Sequence, residues 1–410
     1  MPPTAMTSAP PPRRDAPITV RVARGALFTT ALLDELTTGL LVVALPLIRD
    51  RLRLSYAEAG LIFTVGALSS VLIEPPITLA ADRRPLRVPI LAGMLALAAG
   101  YALAGLAPNY ALLLAAVALI FPAIGTAVGL AQSALIDAAP PHQAGRTMAR
   151  WTLLSAVGDL LAPLAVGVGV AAGMDWLGLC LIAGCLWLAS AFVLAPACFP
   201  SPHGQGELAG EASSDERDGL RSRLRDLRDA LRDRELLRWA AISTLATTLD
   251  EVFLAFAALY LHDHLHASQE AISTAIAVAV AAGLAALVLL DHLGHRVEGR
   301  RLLPWMAVLA LLGVVLLLLV PTVPLAVLAL AVVAFAAAGW YPLAQAAAYA
   351  SGYQPAALVR TVSLLGDPIE VVLPGVTGLI AARFGLSAAL AFLALGPLAM
   401  LVLLPRRHLS

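Results

Sequence analysis

Acidic residues recur at matching places inside long apolar stretches of this 410-residue chain. Leu33-Asp34-Glu35 and Leu249-Asp250-Glu251 lie within two such stretches, with Asp250 placed 216 positions after Asp34. Asp159-x-x-x-Pro163-x-x-x-Gly167 returns 211 positions later as Glu370-x-x-x-Pro374-x-x-x-Gly378, and Asp367 stands three residues before Glu370. A carboxyl group in a low-dielectric cavity can take up a proton and release it when its surroundings change, which is the chemistry of proton coupling. A charge at mid-bilayer costs roughly 3 kcal/mol on insertion scales, so these acids are expected to face protein or water. Asp367 and Glu370, at i and i+3, share a helix face and would repel each other if both were ionised.

The elements that position these acids are membrane spans. The chain is 60% hydrophobic and 13% charged, with a mean hydropathy of +0.85, and only a bilayer can solvate such a sequence at this length. A span needs about 20 apolar residues. Twelve segments qualify, at 24–48, 56–81, 88–107, 110–136, 147–172, 176–197, 239–261, 269–291, 302–320, 323–350, 359–382 and 386–404. The pattern predicts an all-α membrane protein of two parallel six-helix repeats. A disordered tail over 1–22 precedes a six-helix bundle over 23–197, and a cytoplasmic linker over 198–238 leads to a second bundle over 239–405. Further repeated pairs support two copies in the same order: Ala131-Gln132 with Ala344-Gln345, and Arg146-Thr147 with Arg360-Thr361. Leu220, Leu224, Leu227 and Leu231 fall at helical spacing among Arg and Asp, which predicts an amphipathic helix on the membrane surface over 216–239.

Charge placement sets the expected orientation. All 27 basic residues are arginine, and 23 of them fall in the loops that are internal if both termini are cytoplasmic. The net charge of zero argues against a nucleic-acid partner. Cys180, Cys185 and Cys198 cluster in or just after one apolar segment and read as small packing residues, without metal or disulfide spacing. His262, Asp263, His264 and His266 could suggest a metal, but a solvated polar loop accounts for them better. No cofactor is expected. Gly158-Asp159 and Gly366-Asp367 are similar to part of the Gly-x-Gly-Asp of intramembrane aspartyl proteases, but Ala156 and Leu364 replace the first glycine and no Tyr-Asp partner exists in any span. An enzyme is therefore not expected.

Twelve spans, a six-plus-six parallel repeat and a long central loop together resemble the major facilitator superfamily. Thr78-Leu79-Ala80-Ala81-Asp82-Arg83-Arg84-Pro85-Leu86-Arg87 resembles its Gly-x-Leu-x-Asp-Arg-x-Gly-Arg motif, with Thr78 and Pro85 in place of two glycines. His295-Arg296-Val297-Glu298-Gly299-Arg300-Arg301 is a looser copy. The resemblance implies a cytoplasmic gate built from Asp82, Arg83, Arg87, Arg296 and Arg300, with Glu74 nearby. Gly158-x-x-x-Ala162-Pro163-x-x-Val166-Gly167 is similar to the family's antiporter motif, whereas span 4 lacks the arginine that many of its proton-driven exporters carry; over 127–134 the only strongly polar side chain is Gln132.

The resemblance also implies that spans 3, 6, 9 and 12 lie outermost and the others surround a central cavity. The interiors of those four segments contain no Asp, Glu, Arg or Lys, which agrees. At ~1.5 Å per residue, Asp34 and Asp250 lie roughly 15 Å from their cytoplasmic ends, and Asp159 and Glu370 roughly 18 Å. Successive helical residues sit ~100° apart. The aspartates, on stripes with Thr30, Thr37 and Thr38 or with Ser243 and Thr247, are expected to point inward, and Glu35 and Glu251 toward neighbouring spans. Gln132, Trp340, Tyr341 and Gln345 are candidate cavity linings. The expected function is secondary active transport by alternating access: proton-coupled export of a neutral or cationic small molecule by a monomer in the cytoplasmic membrane of a bacterium. Proton-coupled import of a nutrient is the alternative, and a non-transporting membrane partner protein the alternative of another class.

Overall fold

The computed structural model describes residues 18–81, 86–139, 144–196, 232–293, 299–349 and 369–404, and among these there is no strand. Eleven of the described helices are long and apolar enough to cross a membrane. Span 1 is Ile18–Val43, span 2 Tyr56–Ala81, span 3 Arg87–Leu106, span 5 Ala144–Ala171 and span 6 Trp176–Leu194. Span 4 runs from Tyr110–Ile124 through a π-helical segment, Gly125–Gly129, into Leu130–Asp137. Span 7 is Arg234–Leu265, span 8 Gln269–Leu293 and span 9 Gly299–Leu319. Span 10 is split into Val323–Ala337 and Trp340–Tyr349, and span 12 into Leu386–Leu393 and Leu395–Leu403; Ile369–Phe384 is the described part of span 11.

Helices are the only open structures that satisfy every backbone group without water, so an apolar chain of this length must fold this way. The surface carries the solvent's signature. Val402, Leu319, Trp305 and Phe192 are all exposed, whereas Trp187, Trp239 and Trp340 are fully buried inside the bundle. Between spans, polar side chains close the ends: Asn109 accepts from the Leu112 N–H at 3.0 Å, and Asp233 from the N–H groups of Glu235 and Leu236.

Several boundaries differ from the sequence expectation. The first helix begins at Ile18, inside the stretch expected as tail, and span 7 begins at Arg234, inside the expected linker. Most of the amphipathic stretch at 216–239 lies outside the described residues. Three interruptions fall where a proline removes a backbone donor. The Pro46 ring leaves the Val42 carbonyl without its partner near the break at Ala44. Pro342 does the same to Ala338, where span 10 turns, and Pro397 to Leu393, beside the break at Ala394. Cys180 is buried as expected of a packing residue, but Cys185 is exposed on the outer face of span 6.

The first six and last six spans meet closely along two lines, span 2 against span 11 and span 5 against span 8. The first line needs glycine. A side chain at Gly60 would run into the Pro374 carbonyl and the Gly378 backbone, and one at Gly378 would meet the Tyr56 carbonyl at 2.6 Å. On the second line, Gly167 lies against Ser273, 3.1 Å from where its own Cβ would stand. All these approaches lie at the end of the bundle that carries residues 49–56.

A polar cluster fastens the same end. Arg49, beyond span 1, gives Nη1 to both carboxylate oxygens of Asp263 in span 7, at 2.8 and 2.7 Å. The Tyr56 hydroxyl donates to the same carboxylate, and the Arg49 guanidinium lies 4.6 Å from the Tyr56 ring centroid. His262 bridges Asp263, 2.8 Å away, and Asp50, 3.4 Å away. Gln269 Nε2 donates to the Val43 carbonyl at 2.9 Å. The Arg49, Tyr56 and Gln269 contacts, and that of His262 with Asp50, each cross from one half of the chain to the other.

Two outcomes check this packing. Arg49→Ala lowers the stability of the purified protein by about 1.5–3 kcal/mol, the usual worth of a charge-assisted hydrogen bond. The exchanged pair Arg49→Asp with Asp263→Arg recovers part of the loss in thermal melts, giving a non-zero coupling in a double-mutant cycle. Within the first half, a side chain at Gly158 would strike the Leu32 carbonyl and lie 3.1 Å from the Glu35 Cβ. Gly158→Val is therefore destabilising by about 1–3 kcal/mol through overpacking, read as a lowered melting midpoint.

Candidate functional site

The site begins with the close crossing of spans 1 and 5. Because Gly158 has no side chain, span 5 lies directly on the Leu32 carbonyl and beside Glu35, which brings Asp159 to the level of Asp34 and Glu35. Asp34, Glu35 and Asp159 are all half-buried. The Thr38 hydroxyl donates to Asp34 at 3.4 Å. Thr30 and Thr37, on the same stripe, are instead fully packed away. Each turns its hydroxyl back to a carbonyl one turn earlier, and Thr37 also receives the Trp187 indole N–H at 3.1 Å. Thr37 thus helps to hold spans 1 and 6 together.

The second half adds its own acids to the group. Asp250 and Glu251 are exposed, although they occupy the middle of a 32-residue helix. Their neighbours in sequence are buried on both sides: Leu249 before them, and an unbroken run from Val252 to Leu261 after. Glu251 is thus as exposed as Asp250. Glu370, at the start of the described part of span 11, is also exposed.

The acids of the two halves lie within reach of one another's charge. Glu35 interacts electrostatically with Asp34, Asp159, Asp250 and Glu251, and Glu251 with Glu370, Asp250, Asp34 and Asp159. Six carboxyl groups from spans 1, 5, 7 and 11 therefore form one like-charged set, whose protonation must be coupled. Asp367, expected to belong with them, lies outside the described residues.

The other sequence candidates are more dispersed. Gln132 is half-buried, with Nε2 3.9 Å from the Met148 sulfur. Trp340 is buried and Tyr341 exposed, and the side chain of Gln345 is not among those described. Of the expected gate, Arg87 is half-buried at the start of span 3. Asp82, Arg83 and Arg296 lie outside the described residues, as does the side chain of Arg300. Glu74 is half-buried and turns its carboxylate toward Gly125, at the start of the π-helical turn of span 4, where a larger residue would displace that carboxylate. No group of three or more His, Cys, Asp or Glu among the described residues is arranged to hold a metal ion.

Two features escape the sequence reading. The Arg49–Asp263–Tyr56 cluster stands where solvated loops are expected, yet the opposed charges at near-equivalent positions of the two repeats are its signal. The π-helical turn has a weaker one, the closely spaced Gly125 and Gly129 after Pro122.

Comparison with known proteins agrees with this architecture. The family model described as Major Facilitator Superfamily matches residues 27–366. No curated protein matches the chain. Among solved structures, a bacterial homolog of the human lysosomal transporter Spinster, in an inward-facing and unoccupied conformation, superposes with a TM-score of 0.72 at 18% identity, covering 95% of each chain. The nucleoside transporter NupG, in a single-residue mutant form, gives 0.72 at 13% identity over 93% of this chain and 100% of its own. A D-xylose-proton symporter gives 0.71 at 13% identity over 94% and 97%. Identities this low speak for the fold alone. With the match of the family model over most of its length, the chain belongs to the major facilitator superfamily and is a membrane transporter, not an enzyme.

Proposed function

We propose that this chain is a proton-coupled secondary transporter that works by alternating access and exports a neutral or cationic small molecule. One observation carries the reading: six acids from both halves of the molecule lie within reach of one another's charge between the two bundles. An acid shared between two halves that rock against each other changes its surroundings at every cycle, and that change drives proton uptake and release. No arginine or histidine lies deep in any span at the same level, so a strongly anionic substrate is disfavoured and a neutral or cationic one fits.

Both termini are placed in the cytoplasm by the arginine distribution. The end fastened by Arg49 and Asp263 is then the outer one, and the acids are reached from inside. The charge pairs of the cytoplasmic gate, Asp82, Arg83, Arg87, Arg296 and Arg300, would engage when the outer end opens. Gln132, Trp340, Tyr341 and Gln345 complete the cavity lining, and the protein acts as a monomer in the cytoplasmic membrane. A proton symporter importing a nutrient is the second reading, favoured by the missing arginine in span 4, where Gln132 stands as the only strongly polar side chain over 127–134.

The test uses inside-out vesicles with an imposed proton gradient, followed by a fluorescent amine and challenged with cationic, neutral and anionic compounds. Particular cations or neutral compounds dissipate the gradient in the parent. Asp34→Asn and Asp250→Asn each abolish this response, by at least about tenfold, while expression and melting behaviour stay at parental levels. Undiminished gradient-driven transport in both variants would sink the proton-coupling assignment.

A further inference from the structure

The two halves close the end that carries residues 49–56 with polar atoms left over. Among the described residues, seven buried side-chain nitrogens and oxygens make no hydrogen bond. Four of the seven stand where one half touches the other: Arg49 Nε, Thr64 Oγ1, Gln269 Oε1 and Ser273 Oγ. The shortfall is therefore gathered at one interface. Arg49 engages Asp263 through Nη1, which leaves its Nε spare. Thr64 lies against span 11, its oxygen 2.9 Å from where a Cβ on Gly375 would stand. Gln269 gives Nε2 to the Val43 carbonyl, yet its Oε1 receives nothing. Ser273, one turn farther along the same face of span 8, is turned toward Gly167 of span 5.

Hydroxyls buried elsewhere in the molecule mostly turn back on their own helix. Those of Thr30, Thr37, Ser69, Thr126, Ser243 and Thr377 each donate to a carbonyl three or four residues earlier. Thr64 and Ser273 do not, and the glycines they face have no side chain to answer them. A polar atom shut away from water without a partner is destabilising. Here that penalty exists only while the end is closed, because separating the halves lets water reach the interface. Glycine packing and the Arg49–Asp263 pair favour closure; the unpaired groups oppose it.

We infer that Thr64, Gln269 and Ser273 are a built-in opposition to closure, which holds the closed and open forms of this end near balance. The inference rests on the alternating-access part of the reading above, and on neither its proton coupling nor its direction.

Spin labels at the exposed sites Ala172→Cys, between spans 5 and 6, and Thr322→Cys, between spans 9 and 10, report the separation of the halves at this end. Cys180, Cys185 and Cys198 are replaced by alanine in the full-length chain, which is reconstituted in lipid nanodiscs without substrate or gradient. Pulsed dipolar spectroscopy then gives a shorter and a longer distance in this parent. Ser273→Ala and Thr64→Val each remove an unpaired hydroxyl at nearly constant shape, and each lowers the open-to-closed ratio about fivefold or more. Arg49→Ala raises it. Ser190→Ala removes an unpaired hydroxyl inside the first half and leaves the ratio unchanged, which separates a bias at the interface from a general gain in stability. Either interface variant suffices where the other fails to fold. A ratio unmoved or raised in folded Ser273→Ala or Thr64→Val, an equal fall in Ser190→Ala, or a single short distance in the parent each overturns the inference. The vesicle assay on the same variants keeps the two readings apart. Proton movement with an unmoved ratio removes the opposition and keeps coupled transport; a lowered ratio without proton movement does the reverse.

Discussion

Hydrocarbon cannot hydrate a carboxylate, and the arrangement of this molecule follows from where that constraint sends its acids. A charge facing lipid at mid-depth would cost several kcal/mol, so each acid needs a protein partner or a route to water. Those of spans 1, 5, 7 and 11 lie within electrostatic reach of acids from neighbouring spans. Spans 3, 6 and 9 have no acid or arginine within their interiors, and they expose leucine, valine and tryptophan. The same constraint explains why Gly158 matters far beyond its size. By letting span 5 rest on the Leu32 carbonyl, it draws Asp159 inward to the other acids.

The two ends of the molecule are held by different physics. At the 49–56 end, backbone meets backbone at Gly60 and Gly378, so close packing and a partly exposed ion pair act together. Packing of this kind is short-ranged and lost within an ångström or so of separation. The Arg49–Asp263 attraction reaches farther and is screened by salt. An end closed by both loses its packing first as it opens, while the ion pair still draws the halves together. Among the described residues, no comparable set of contacts between the halves occurs at the opposite end.

Much of this was legible in the chain. Hydropathy located the spans because the bilayer imposes one length on all of them, and the repeated acids stood out because charges are so rare in apolar sequence. Helix interruptions were less visible. Hydropathy averages over about 20 residues and passes straight across Ala44, Ala338 and Ala394, although Pro46, Pro342 and Pro397 marked each of them. The side-chain orientation of neighbours was read less well. A step of about 100° separates Asp250 from Glu251, yet both are exposed. Sharing a stripe with Asp34 did not reveal that Thr30 and Thr37 are fully packed away. The cross-half cluster was missed for a different reason. Arg49 and Asp263 are 214 residues apart, and no local pattern reports a partner at that distance.

The π-helical turn at Gly125–Gly129 bears on how this chain tolerates change. Such a turn holds one residue more than an α-helical turn of the same reach. Everything that follows it, from Leu130 to Asp137, is wound about 100° from where an unbroken helix would put it. Loss of a single residue here would turn the segment into plain α-helix, leaving span 4 nearly as long as before and Gln132 still turned toward Met148. At this place in the chain, a deletion can be absorbed without a rotation.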